Sequence, residues 1–308
     1  MKLPRPSRRS FIKNATLGAA IFSVAPEVLS NFSGSVPRDE DLFFKISLAE
    51  WSLNRALFDG TLNNLDFPAY ARKRFDIHAV EYVNTFFPSA SKDYARELLQ
   101  RTTDQDVINV LIMIDDEGDL GERKAQERKK AVENHFKWVE CAEILGCHAI
   151  RVNAAGKGSE KRVAAAVAES LTELCTFAKD HQISVIVENH GGYSSNASWL
   201  VSVIREVGMD NCGTLPDFGN FNISRTETYD KYQGVRELMP YAKGVSAKSY
   251  AFDDQGREIS SDYFRLLKII KESGYRGYIG IEYEGSSLSG DEGILATKNL
   301  LIEAARLT

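Results

Sequence analysis

The chain has 308 residues, of which 43% are hydrophobic and 26% charged, with a net charge of -5. That composition is ordinary for a soluble globular protein, and it gives no reason to expect nucleic acid or an anionic membrane surface as partner. No apolar run reaches the roughly 18 residues of a membrane span, so no permanent transmembrane segment is expected.

In chain order, the first 40 residues stand apart. "SRRSFIK" (7–13) carries the adjacent Arg8 and Arg9, followed by the weakly apolar "LGAAIFSVA". Ser23 and Ala25 are the small residues a signal peptidase prefers. The stretch resembles a twin-arginine export signal, which makes residues 1–40 a signal peptide and linker and the location periplasmic. The alternative is a basic tail with no targeting role. No cysteine lies near the cleavage position, so a lipid anchor is not expected. Cys141, Cys147, Cys175 and Cys212 form no C-x-x-C pair, and buried thiols are expected rather than disulfides.

From residue 41 to 308, short apolar runs alternate with longer amphipathic ones. Strands are expected at 43–51, 78–84, 107–115, 148–154, 183–190, 212–218, 243–249 and 278–284. Helices are expected between them, most clearly at 123–145, 161–181, 262–273 and 293–307, where apolar residues recur at helical spacing. Eight strands each followed by a helix imply parallel pairing with right-handed crossovers. Number and length together fit an α/β fold of the (β/α)8 TIM barrel type. A doubly wound open sheet is the second choice; no G-x-G-x-x-G follows the first strand.

Successive strand residues face opposite sides of a sheet. With Val185 and Val187 turned toward the helices, Ile186 and Glu188 face the barrel axis. The same alternation points Glu81, Arg151, Asn153, Ser246, Lys248 and Glu282 inward, and Asp217 ends the sixth strand. These polar residues cluster near the C-terminal strand ends, where barrels of this kind carry their active sites. Four carboxylates in one cup cannot all ionise without compensation. Either a divalent cation binds, or Arg151 and Lys248 neutralise them, or some stay protonated. All-oxygen donors favour Mg2+ or Mn2+ over zinc. A purely structural salt-bridge network is the alternative.

Three stretches, "VIVENHGG" (185–192), "LPDFGNF" (215–221) and "IGIEYEG" (279–285), resemble the xylose isomerase-like barrel family over roughly residues 42–307. The resemblance implies one divalent metal held by Glu188, Asp217 and Glu282. It implies proton abstraction next to the carbonyl of a sugar, with Glu188 and Glu282 as the acid–base pair and Lys248 or Arg151 facing the developing oxyanion. Two positions depart from the family pattern: Ser246 stands where a histidine ligand is usual, and Asn220 replaces a second histidine. The metal would then rest on three carboxylates and water, or take support from His190.

His190 is the only one of the five histidines that follows a strand's C-terminal end. A role beside substrate or metal ligands is expected for it. Trp51 is a candidate for stacking on a sugar face or for plugging the barrel mouth, and "NTFFP" (84–88) for a pocket wall. Arg151, Asn153, Glu81, Asn220 and Ser246 complete the expected substrate-binding set. The expected activity is isomerisation or epimerisation of a non-phosphorylated sugar or keto-sugar. The rivals are an exported 3-keto-glycoside lyase using the same site and a non-catalytic sugar-binding barrel. A DNA-repair endonuclease of this superfamily is disfavoured by five histidines and the acidic charge, and a serine hydrolase by the lack of G-x-S-x-G. The expected partner is a small-molecule sugar, and a homo-oligomer is compatible with the sequence.

Overall fold

The computed structural model describes residues 42–308, so the twin-arginine stretch lies outside the described residues. Eight strands appear in chain order: β1 (Lys45–Ala49), β2 (Ala79–Val83), β3 (Ile108–Met113), β4 (Ala149–Asn153), β5 (Ser184–Glu188), β6 (Cys212–Leu215), β7 (Val245–Ser249) and β8 (Tyr278–Tyr283). The sheet order is β6-β5-β4-β3-β2-β1-β8-β7, with parallel ladders. Isolated parallel bridges join Thr214 of β6 to Ala242, ahead of β7, and Asp217, just past β6, to Ser246 of β7. Every ladder joins neighbours in sequence except β1 with β8. That pattern is a TIM barrel and not a doubly wound sheet.

The helices are α1 (Asn54–Phe58), α2 (Phe67–Phe75), α3 (Lys92–Asp104), α4 (Ala125–Leu145), α5 (Glu160–Asp180), α6 (Ala197–Val207), α7 (Lys231–Leu238), α8 (Tyr263–Glu272) and α9 (Gly290–Leu307). The short α1 is an addition that apolar periodicity does not reveal, because it buries no residue. Local chemistry sets the ends of the others. The Ser289 hydroxyl and the Glu292 carboxylate form a reciprocal capping box at the start of α9, and Gly146, in the left-handed conformation, stops α4. Among the described residues, no helix is long and apolar enough to cross a membrane.

Side-chain alternation divides the barrel into two cores. Val80, Tyr82, Ile150, Val152, Val185, Val187, Val245, Ala247, Ile279 and Ile281 pack under the helices. Ala49, Ala79, Val83, Leu111, Met113, Ala149, Ile186 and Leu215 fill the axis. Fully burying one such aliphatic side chain contributes about 1.5–3 kcal/mol. The axial core stays apolar only in its lower layers, so the layer above it is free to be polar. One irregularity breaks the alternation. The β2–β3 register shifts between Val80 and Glu81, leaving Val110 extra, and both Val110 and Leu111 join the axial core. All four cysteines are buried free thiols.

Candidate active site

β5 ends as a buried strand that must hand its polar terminus to the barrel mouth. Glu188 is the last residue of β5. Its Oε2 lies 2.9 Å from Arg151 Nε, and its Oε1 accepts a 3.0 Å hydrogen bond from Asn220 Nδ2. Asn189 is fully buried and acts as a strut. Its amide donates to the Asp217 and Asn220 carbonyls at 3.1 and 3.0 Å, and its Oδ1 accepts the Asp217 N–H at 2.8 Å. Gly191 and Gly192 then take φ of 80° and 57°, the region that favours glycine. This turn delivers the His190 and Gly191 N–H groups to the Ser194 and Ser195 hydroxyls. "ENHGG" is thus a carboxylate, a strut, a cavity-wall histidine and a turn.

Asp217, just past β6, is 0% exposed. Its Oδ1 accepts the N–H groups of Gly219 and Asn220 at 2.7 and 2.8 Å, while its Oδ2 is buried with no hydrogen-bond donor. On β7, Ser246 Oγ donates to Glu282 Oε2 at 2.7 Å. Lys248, two residues on and 2% exposed, places Nζ 3.5 Å from Asp217 Oδ2, 3.4 Å from Glu282 Oε2 and 3.3 Å from Glu284 Oε1. On β4, Arg151 Nη1 donates to Asp115 Oδ1 at 2.8 Å, and Asn153 Nδ2 donates to the same oxygen at 2.8 Å. Five carboxylates therefore face two cations.

One oxygen each from Glu188, Asp217 and Glu282 lies within 4.8 Å of the others. Oxygens ligating a common Mg2+ or Ca2+ at about 2.0–2.6 Å are at most about 4–5 Å apart. That spacing, the lack of a hydrogen-bond donor at Asp217 Oδ2 and the excess negative charge all fit a divalent cation. Burial raises the Glu188 and Asp217 carboxyls above their usual values, against the opposing pull of Arg151 or Lys248. Burial acts the same way on Glu282, but Lys248, Ser246 and Arg151 outweigh it and hold that carboxyl low. Lys248 stays protonated: burial disfavours its charge, and Asp217, Glu282 and Glu188 more than offset that.

Above this floor opens a cavity of about 720 Å³, lined in part by Trp51, Asp115, Arg151, Asn153, His190 and Glu282. Of the acidic triad, Glu282 reaches the cavity wall; Glu188 and Asp217 lie beneath it. Desolvation within the cavity wall, then Arg151 and Lys248, lower the His190 pKa and so favour its neutral ring. Glu81 does not line the cavity. It accepts a bond from Ser47 Oγ at 2.5 Å against Gly280, where an added Cβ would come within 2.6 Å of its oxygens. Trp51 sits in the 3-10 turn after β1. "NTFFP" divides: Thr85 lines the cavity, Phe86 packs on Trp51, and Phe87 turns into the outer core against Tyr82 and Trp138.

Four contributors escaped the sequence reading. Asp115 and Glu284 continue the inward alternation of Met113 and Glu282, and that periodicity could have found them. His135, on α4, lines the cavity although it lies mid-helix. Glu50 is fully buried; its oxygens accept Asn64 Nδ2 at 2.8 Å and the Val83 N–H at 2.9 Å, which fastens the Trp51 turn to the end of β2. No periodicity marks that role. A second cleft of about 510 Å³ beside the start of α9 contains the Arg74–Asp291 ion pair and the Ser289–Glu292 cap, so these polar groups are already matched.

Residues 70–304 match the family described as Xylose isomerase-like TIM barrel. The chain belongs to that family. Two solved structures show the shared fold. An L-ribulose 3-epimerase superposes with a TM-score of 0.68 at 15% identity, covering 86% of this chain and 96% of that one. The IOLI protein with a binding zinc atom superposes with a TM-score of 0.67 at 13% identity, covering 86% and 99%. A C-glycoside deglycosidase alpha subunit from Microbacterium trichothecenolyticum is 36% identical over 73 residues, which is 23% of this chain and 20% of that protein.

Proposed function

We propose that the chain is a divalent-metal-dependent sugar isomerase or epimerase, acting by proton abstraction next to the carbonyl of a non-phosphorylated sugar or keto-sugar. The observation that carries this reading is the buried Glu188–Asp217–Glu282 triad beneath an open polar cavity. Sugar epimerases among proteins of the same fold support the substrate class. Glu188, Asp217 and Glu282 would hold the cation, Mn2+ or Mg2+. When bound, it supplies Lewis-acid polarisation of the carbonyl and the neighbouring hydroxyl. Glu282 reaches the cavity and takes or returns the proton, with Glu188 as its partner across the barrel. Lys248 and Arg151 supply fixed positive charge for the oxyanion. Asn153 and His190 orient hydroxyls. The twin-arginine-like stretch supports an exported location, where free sugars and glycosides are more accessible than sugar phosphates.

Elemental analysis of the purified protein tests the metal. A screen of keto-sugars in deuterated water tests the chemistry, with deuterium uptake at the carbon beside the carbonyl as the readout. A metal-free protein that exchanges no substrate proton would sink the proposal. The same proton abstraction can end in elimination from a glycoside, and the match to the deglycosidase subunit is consistent with that outcome. Release of an aglycone separates the two.

A further inference from the structure

The cavity is two-sided. Arg151, Asn153, Asp115 and His190 form a polar side, while Trp51 and Phe58 form an aromatic one. Trp51 and Phe58 belong to a cluster of three rings completed by Phe86. Trp51 and Phe58 meet at 6.0 Å and 88°, Phe58 and Phe86 at 5.1 Å and 64°, and Trp51 and Phe86 at 5.9 Å and 34°. Rings set edge to face make a corner rather than a flat plate. Phe58 is 68% exposed, and its helix α1 buries no residue, so packing of the fold does not explain its position. Phe58 lines the cavity while most of its surface faces solvent, so its ring is available to a ligand.

A monosaccharide held by its hydroxyls on the polar side can set one C–H face on Trp51, but a single sugar ring does not also cover Phe58, which is 68% exposed. A cavity of this size falls in the range of about 300–1,000 Å³ that takes drug-sized ligands. We infer that Trp51 and Phe58, supported by the Phe86 ring packed against both, form a subsite for the aryl aglycone of a keto-glycoside whose sugar ring rests on the polar side. The substrate is then a keto-glycoside, a keto-sugar joined to an aromatic alcohol or phenol, and not a free sugar. This rests on the sugar-processing reading above and specifies its substrate class. The apolar corner accepts an aromatic ring edge to face, while the glycosidic link keeps the sugar over the acidic floor.

The test uses the full chain loaded with manganese and matched phenyl and methyl β-glycosides of glucose, galactose and xylose. Calorimetry gives the affinity of each. The phenyl member of at least one pair should bind about tenfold more tightly. Phe58→Ala should abolish that preference without changing the affinity for the methyl glycoside, and Phe58→Tyr should retain it. Equal affinities within every pair, or a phenyl preference that survives Phe58→Ala, overturn the subsite alone, because the sugar still binds. No binding of any glycoside overturns the subsite, while the reading it rests on stands or falls separately by the exchange of keto-sugar protons in deuterated water. Sedimentation of both proteins provides a further check. A wild-type dimer that becomes monomeric on Phe58→Ala would show that a second copy covers the corner, and this too overturns the subsite.

Discussion

Lys248→Met should lower stability and raise metal affinity at once. The side chain is 2% exposed, with Nζ 3.3–3.5 Å from Asp217, Glu282 and Glu284. Removing one partner from a buried ion network costs about 3–5 kcal/mol, because the remaining charges lose their compensation. At about 2–4 °C per kcal/mol for a chain of this size, the metal-free variant should melt on the order of 10 °C lower. Manganese should narrow the deficit, since a cation restores the missing charge. The ammonium also competes with a cation for Asp217 and Glu282. Two unit charges about 4 Å apart interact by about 4 kcal/mol at an effective dielectric of 20. Its removal should therefore tighten manganese binding at least tenfold by calorimetry. If Lys248 also faces the oxyanion, substrate proton exchange should slow by about 10²–10³-fold despite the tighter metal. Unchanged metal affinity in a variant that melts normally would refute the electrostatic argument.

Glu188→Gln, Asp217→Asn and Glu282→Gln should each lower bound manganese at nearly constant volume. Stoichiometric metal in all three, measured by elemental analysis, would mean the ligands lie elsewhere. Ser246→His should tighten metal binding, because Ser246 Oγ lies 2.7 Å from Glu282 Oε2; weaker binding by calorimetry would show that the imidazole cannot turn toward the triad. Burial raises the Glu50 carboxyl from its ordinary 4.5 to about 8, so the folded state binds this proton more tightly than the unfolded one. Its contribution to stability is fully present below pH 4.5 and is lost as the pH rises toward 8. Glu50→Gln should flatten that part of the stability profile in chemical denaturation, and an unaltered slope would contradict the burial argument. Arg8→Ala with Arg9→Ala should retain the protein in the cytoplasm, and fractionation showing unchanged export would reduce the stretch to a basic tail.

Much of the architecture was legible because a barrel imposes two periodicities at once. Strand alternation put Ile186 and Glu188 on one face and Val185 and Val187 on the other, and the two cores divide them in the same way. The bulge at Val110 was not legible, since a register shift arises between strands and leaves no mark in either alone. The inward polar residues could be named from alternation, but their partners could not. Asn220 bonds Glu188 through a loop, and Asn189 ties two strand ends by its amide. Such contacts join residues about 30 positions apart through side-chain geometry that no spacing rule encodes. Glu81 shows the opposite limit: alternation gave its direction correctly, but depth is a third coordinate, and only the structure puts it below the cavity against Gly280.

The placement of Lys248 explains how such an acidic floor survives without its cation. Five carboxylates gathered on strand ends would repel one another during folding, at a stage when no metal site yet exists. Arg151 pairs with Glu188 and Asp115, and Lys248 bridges Asp217, Glu282 and Glu284. Each cation is delivered by a strand of the barrel, Arg151 by β4 and Lys248 by β7, so the charge balance forms together with the barrel. The balance is incomplete: Asp217 Oδ2 keeps no hydrogen-bond donor, and burial keeps Glu188 and Asp217 raised. Protons can fill that deficit in the metal-free protein, and a divalent cation must displace them. Metal binding should then release protons, and its affinity should weaken as the medium becomes more acidic. Calorimetry in buffers of different ionisation enthalpy measures that release directly. A proton count of zero would mean that the floor is already fully ionised, with Lys248 and Arg151 alone sufficient to hold it.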